Sequence, residues 1–427
     1  MSRQLIVSLS APEARDPQRF GPKAANVARL GHAGLPIPEG FCVDAEAYRL
    51  QIAAAGLIVH TRRVNSCEPG EARRAALAMR LGLLDTPILD DVLEALLQAR
   101  RGLVATIAAP IVVRSSALVE DRLGSSFAGQ FESYLGLESE DEFVTAARSC
   151  WAALWSTRVL RYMATHDASP ADTAMAILVQ PLIAAHAAGG GLSRTADGDM
   201  LLTATRGLGA AIAQGEVVPD RFILSGSGVL RDTTAGHVPH RVGCAHGARS
   251  MQRAPHAEPC LSATQAVELG TLMRKAENVM GMPIEMEWAL DDAGFKLLQA
   301  RPLSVEPVAI PDEIWLRHPG LNGHPAGVGW GSGRAVVVNC ECELSRVGPG
   351  DILVTKVAGP SLSQVLPRVA GVVAELGGST SHLASLARER GIPAVLGVLE
   401  ATQRIPDGVQ IAVDGVAGVV RWMPRVS

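Results

Sequence analysis

The sequence predicts an α/β protein of more than one domain, and three observations carry that prediction. A chain of 427 residues exceeds the usual size of a single core, and 48% hydrophobic against 19% charged residues is ample for packed interiors. Short apolar runs bounded by glycine and proline alternate with helical stretches along the whole length. After Pro302 a proline-bearing segment, residues 303–319, breaks the pattern as a linker would.

The first element of note is FGPKAANVARLGHAGLPIPEGF, residues 20–41. Lys23 opens a predicted helix there, Ala24, Ala25, Val27, Ala28 and Leu30 favour it, and Gly34 followed by Leu-Pro closes it. A lone lysine so placed also describes a solvated face. In IVVRSSALVEDRLGSSFAGQFESYLGL, residues 111–137, an apolar strand delivers Arg114 to a loop of small residues. Gly124, Ser125, Ser126, Ala128 and Gly129 let backbone and hydroxyls approach phosphate oxygens, and Arg114 offers a planar fork.

The long apolar stretch 174–192 is interrupted by Gln180, Pro181 and His186 and reads as two core strands around a turn. IEMEWALDDAGFKLLQARPL reads as a hairpin turning at residues 291–294. Alternation puts Glu285 and Glu287 on one face and Gln299 and Arg301 together on the returning strand. Hard oxygens suit Mg²⁺ and arginine suits phosphate. Spacing alone describes an exposed polar hairpin face as well.

Beyond the linker, GRAVVV, GDILVTK, AGVVAEL, PAVLGV and VQIAVDG recur as short strands, which predicts a second compact domain of about 110 residues. Residues 371–376 read as a buried strand, Gly377 and Gly378 as a tight turn, and the run from Ser379 to Ser381 as capping hydroxyls. A helix then runs to about Arg390, ended by Gly391 and Pro393, so His382 falls in its first turn beside unpaired backbone N–H groups. That is an anion site, where a neutral imidazole can take up a phosphoryl group and the helix end stabilises the dianion. The same placement describes a capping or surface histidine without chemistry.

A net charge of −4 gives no electrostatic case for nucleic acid or an anionic membrane as partner. Seven scattered cysteines argue against a secreted disulfide framework, and the N-terminal apolar run is too short for an export signal, so a cytoplasmic protein is expected. His237, His240, Cys244 and His246 have a loosely zinc-like spacing but lack the paired spacings of a zinc site, and no structural metal is assigned.

GGSTSHLASLARERGIPAVLG, residues 377–397, closely resembles the mobile phosphohistidine domain of phosphoenolpyruvate synthase, pyruvate phosphate dikinase and rifampin phosphotransferase. Arg-Ser-Ser, Glu-Asp and Ser-Phe-Ala-Gly-Gln, in that order from Arg114, resemble the nucleotide-binding domain of the same family. The resemblance implies an ATP-grasp-like nucleotide-binding domain over 1–305, a linker over 306–319, hinged near Pro307 and Pro311, and a small β/α swivelling phosphohistidine domain over 320–427. It implies nucleotide contacts from Lys23, Arg114, Ser125, Ser126, Gly129, Glu287, Gln299 and Arg301, with Gln180, Pro181, Leu182 and Ile183 as the adenine hinge. Mg²⁺ falls to Glu287 and Gln299, with Glu285 where an acid is also usual, while Glu120 and Asp121 would position Arg114.

The implied reaction is a dikinase type: His382 attacks the β-phosphate of ATP, AMP and phosphate are released, and the phosphoryl group passes to a small-molecule amine, amide or hydroxyl. No acceptor domain of the family is recognised, so the acceptor is expected at the cleft between the two domains, or on a separate chain if this one is a phosphohistidine carrier. Pro22, Ala210 and Leu383 depart from the family pattern and motivate a further alternative, a degenerate nucleotide-binding protein.

Overall fold

The computed structural model describes residues 4–66, 68–107, 109–121, 127–164, 166, 168–239, 253–255, 258–305, 315, 317–356 and 359–424. Two compact units make up the chain: Met1–Ala184 with Lys296–Arg301, and Ala185–Phe295 with Pro302–Ser427.

The first unit is built on an antiparallel sheet in the order β1 (Ile6–Ser8), β2 (Phe41–Val43), β5 (Met175–Pro181), β3 (Ile111–Ala117), β4 (Ser133–Leu137). β5 is central and buried along almost its whole length, which explains why its sequence runs apolar from Met175 to Val179 rather than alternating. The helices are α1 (Pro17–His32), α2 (Ala45–Ala54), α3 (Ile58–Ser66), α4 (Pro69–Asp85), α5 (Asp90–Val104), α6 (Glu140–Ala153) and α7 (Thr157–Ala164). A capping box between Ser139 and Glu142 starts α6 and satisfies its first N–H groups.

Helix α1 is broken at Gly21, where φ is 74° and ψ is 155°. A Cβ there would collide with the carbonyl oxygen and hydroxyl of Ser116, so glycine is required on both counts. The helix restarts at Pro22, a favoured first position because its missing N–H would have no partner. The departure at Pro22 therefore suits the local backbone, and Lys23 follows at the start of the second segment, as expected.

The second unit carries two larger sheets. One is antiparallel and includes, in order, β12 (Ile284–Asp291), β6 (Ala187–Leu192), β7 (Met200–Arg206), β8 (Asp220–Leu224) and β9 (Leu230–Thr234). A two-stranded ribbon, β10 (His237–Pro239) with β11 (Arg253–Pro255), and helices α8 (Ala210–Ala213) and α9 (Ala263–Met280) accompany it. β13 (Gly294–Pro302) follows a turn whose two central residues are 292–293 and whose flanking residues are Asp291 and Gly294, as expected. The apolar stretch 174–192 does form two strands, but β5 belongs to the first unit and β6 to the second.

The other sheet has eight strands, β14 (Gly320–Asn322), β21 (Val419–Trp422), β20 (Gln410–Asp414), β16 (Trp330–Val338), β17 (Ile352–Thr355), β18 (Gly371–Ala374), β19 (Ala394–Leu396) and β15 (His324–Pro325). β16 to β19 run parallel, and their Val337, Ile352, Val354, Val373 and Val395 form the core with Ile411 and Val413. Helix α10 (His382–Glu389) lies in the crossover from β18 to β19, and α11 (Ala401–Arg404) follows. The expected strand 371–376 ends at Ala374 because the chain turns off the sheet before Gly377.

Packing groups residues 185–295 with the C-terminal sheet rather than with the N-terminal part of the expected 1–305 module. Pro307, Pro311, His240, Cys244 and His246 lie outside the described residues. Among the described residues, no helix is long and apolar enough to cross a membrane.

Candidate functional site

In the second unit the site is built from the end of β18. Gly377 has φ of 95°, a left-handed value that turns the chain sharply toward α10. Ser381 is the N-cap, its Oγ accepting the Ala384 N–H at 3.3 Å. His382 is thus the first residue of α10 and is half-buried. Ser379 is fully buried, and among the described residues its Oγ has no hydrogen-bond partner. Leu383 is 2% exposed, so the departure there is an apolar side chain in the interior.

The loop before His382 rests on the sheet that contains β12. Gly377 N–H donates to the Val217 carbonyl at 3.0 Å, and Thr380 shares a hydrogen bond of 2.6 Å with Thr203 on β7. Gly190 on β6 pairs across the sheet with Thr203 on one side and Glu287 on the other. A Cβ at Gly190 would lie 2.7 Å from the Thr380 Cβ, so the bare backbone makes the seat. The Trp288 indole donates to the Gly190 carbonyl at 3.2 Å and steadies it. Cross-strand partners share a face, so Glu287 lies in the same row as the seat of Thr380, two residues from His382.

Glu285, on the same face as Glu287, has company that strand alternation does not reveal. Ser385 Oγ donates to its two oxygens at 3.1 and 3.2 Å, and Arg388 Nη2 at 2.9 Å, with both side chains of the ion pair 8% exposed. Arg388 Nη1 also donates to the Ser379 carbonyl at 2.6 Å. Sequence reasoning missed Ser385 and Arg388. Their signal was present, since His382, Ser385 and Arg388 recur at intervals of three along one helix.

In the first unit the candidate residues bond largely to one another. Lys23 Nζ lies 2.6 Å from Glu120 Oε1 and donates to the Ser115 carbonyl at 2.8 Å, all deeply buried. Arg114 Nη1 donates to the Leu298 carbonyl at 2.7 Å and Nη2 to Gln299 Oε1 at 2.8 Å. Gln299 Nε2 donates to Asp121 Oδ2 at 2.9 Å, and Arg301 Nη1 lies 4.0 Å from Asp121 Oδ1. Glu120 therefore holds Lys23, and Asp121 holds Gln299 and Arg301.

Gln180 is buried, its Nε2 donating to the Pro38 carbonyl at 3.1 Å, and Pro181 ends β5. The Leu182 N–H is used by the Pro110 carbonyl at 2.8 Å, while Ile183 is half-buried. Gly129 has φ of 65° and follows the loop, whose Ser125 and Ser126 lie outside the described residues. Ala210 is exposed at the start of α8.

The carboxylate of Glu287 is a donor of the kind Mg²⁺ takes, and so is the amide oxygen of Gln299, which here accepts from Arg114 Nη2 at 2.8 Å and would have to share or leave that bond to meet an ion. Among the described residues no group of three or more His, Cys, Asp or Glu side chains could hold a metal alone. An ion on either residue would take the rest of its coordination from phosphate oxygens and water, the usual habit of Mg²⁺ beside a nucleotide.

Two family descriptions match this chain: "Pyruvate phosphate dikinase, AMP/ATP-binding domain" over residues 17–314 and "PEP-utilising enzyme, mobile domain" over 347–418. The chain belongs to the phosphoenolpyruvate synthase and pyruvate phosphate dikinase family. Within that family, a phosphoenolpyruvate synthase of Aeropyrum pernix is 32% identical over 98% of this chain and 58% of its own length. One of Pyrococcus furiosus is 28% identical over 94% and 56%. A prodigiosin synthesizing transferase, PigC, of Serratia marcescens is 34% identical over 72% of this chain and 34% of its own. The chain thus spans little more than half the length of these two synthases.

Proposed function

We propose that this chain is an ATP-dependent, dikinase-type phosphotransferase that carries a phosphoryl group on His382 and passes it to a small-molecule acceptor. The observation that supports this reading best is the position of the His382 loop on the sheet face that carries Glu287. In this reading residues 1–305 bind the nucleotide and 320–427 form the mobile domain.

The neutral imidazole of His382 attacks the β-phosphorus of ATP, a P–N bond forms, and the bond to the α-phosphate oxygen breaks to release AMP. Water then removes the terminal phosphate and leaves phosphohistidine. Lys23, Arg114 and Arg301 bind phosphate oxygens, Gly129 with Ser125 and Ser126 lets the backbone close on them, and residues 180–183 flank the adenine. Glu287 and Gln299 would hold Mg²⁺, which offsets polyphosphate charge when bound. Catalysis rests on positioning and charge neutralisation. Swinging of the mobile domain then takes the loaded histidine to its acceptor.

Phosphoenolpyruvate formation is the first reaction to assay, because the synthases are among the relatives, and the prodigiosin synthesizing transferase motivates a wider acceptor screen. The deciding experiment uses ATP labelled separately at the β and γ positions. Acid-labile label from the β position is expected on His382, and its persistence in His382→Ala would sink the proposal. Label that reaches His382 but transfers only when a second protein is added identifies a carrier.

A further inference from the structure

We propose that Glu285 is a positioning residue for phosphoryl transfer to His382: through Arg388 and Ser385 it seats the mobile domain on β12, and it is not a Mg²⁺ ligand. The inference rests on the reading of His382 given above.

Arg388 Nη2 donates to Glu285 Oε2 at 2.9 Å, and the single Ser385 hydroxyl proton lies between the two carboxylate oxygens, with Oγ at 3.1 and 3.2 Å, and the Ser381 carbonyl at 3.2 Å. A divalent cation on the same carboxylate would confront the guanidinium at close range in a desolvated setting, where like charges repel strongly. The second arm of Arg388 holds the Ser379 carbonyl at 2.6 Å, in the loop that leads into His382. One guanidinium therefore ties β12 to the backbone that sets the imidazole. Two other ties of this loop, Thr203 to Thr380 and Gly377 N–H to the Val217 carbonyl, are neutral bonds and weaker than a charge-assisted pair. The metal role assigned above to Glu287 is a separate one, two residues along the same face.

The test compares Glu285→Gln, Arg388→Ala, the double variant and Ser385→Ala. Labelling of His382 from β-labelled ATP is timed at low and saturating Mg²⁺, Mg·ATP affinity is measured by calorimetry, and hydrogen exchange is followed in residues 377–389. Glu285→Gln is expected to slow labelling about 10- to 100-fold, the loss produced by removing a buried charged hydrogen bond. Nucleotide affinity should hold, added Mg²⁺ should not restore the rate, and the double variant should be no slower than the worse single one. Protection of residues 377–381 should fall in Glu285→Gln, and Ser385→Ala should show the same pattern more weakly.

Rescue of Glu285→Gln by Mg²⁺, or lost nucleotide affinity alongside normal labelling in Arg388→Ala, overturns the proposal. If the unmodified protein fails to label at all, the functional reading fails, whereas unchanged exchange in Glu285→Gln overturns the seat by itself. Should Arg388→Ala not fold, Ser385→Ala carries the comparison, and a normal rate there with normal exchange counts against the seat.

Discussion

The two sets of candidate residues are held in place by different physics. Around Lys23 the charges are buried and balanced within the first unit, Lys23 against Glu120 and Asp121 against Gln299 and Arg301. Around His382 the ring is set mainly by backbone devices, a left-handed glycine, a serine cap and a helix start, with a single buried ion pair, Arg388 to Glu285, behind the loop. The first arrangement is costly to disturb because removing one partner strands a charge. The backbone devices of the second are tolerant, since a cap can be lost at small cost to the fold, and only its Arg388–Glu285 pair shares the first's sensitivity.

That contrast can be broken most severely at Lys23. Lys23→Ala leaves the Glu120 carboxylate buried without its cation, and a loss of about 3–5 kcal/mol is expected in denaturant unfolding. Adding Glu120→Gln should recover much of that loss without restoring nucleotide affinity, whereas recovery of both would show that the pair serves stability alone. Gly21→Ala comes next: positive φ and collision with Ser116 should cost about 1–3 kcal/mol and displace Lys23, read as a joint fall in melting temperature and ATP affinity.

His324 sharpens the comparison from the other side. Burial, helped by the nearby Arg221 charge, pushes its imidazole down to about 3 from an ordinary 6.5, so it is neutral in the fold while the unfolded chain protonates first. The unfolded state binds more protons between those values, so this contribution is fully present above pH 6.5 and is lost as pH falls toward 3. Replacement of His324 by Gln should flatten the acid side of the stability profile, and an unchanged slope would refute the assignment. Smallest of all, Ser381→Ala should cost about 1 kcal/mol, with His382 labelling slowed rather than abolished.

Much of this was legible in the residues. The turn, cap and helix around His382 follow from local chemistry, and the parallel strands of the C-terminal sheet are visible as apolar runs because both of their faces are buried. Alternation also placed Glu285 and Glu287 on one face correctly, but it says nothing of what packs on that face. The partnership of Glu285 with Arg388 spans 103 residues of sequence, and that of Gln299 with Asp121 spans 178. Such contacts depend on tertiary packing that no local pattern encodes. The Leu182 N–H is a similar case: its bond to Pro110 removes a group that a strand-end reading would have left for adenine.

Gly190 has a further consequence. Because the Thr380 side chain occupies the space where a Cβ would stand, the missing methyl sets how close the loop before His382 lies to the sheet. A single carbon added there would act as a shim, holding the loop off its stop while leaving every charged residue of both regions in place. The clearance between the two would then be decided by one hydrogen atom's worth of side chain rather than by any charge.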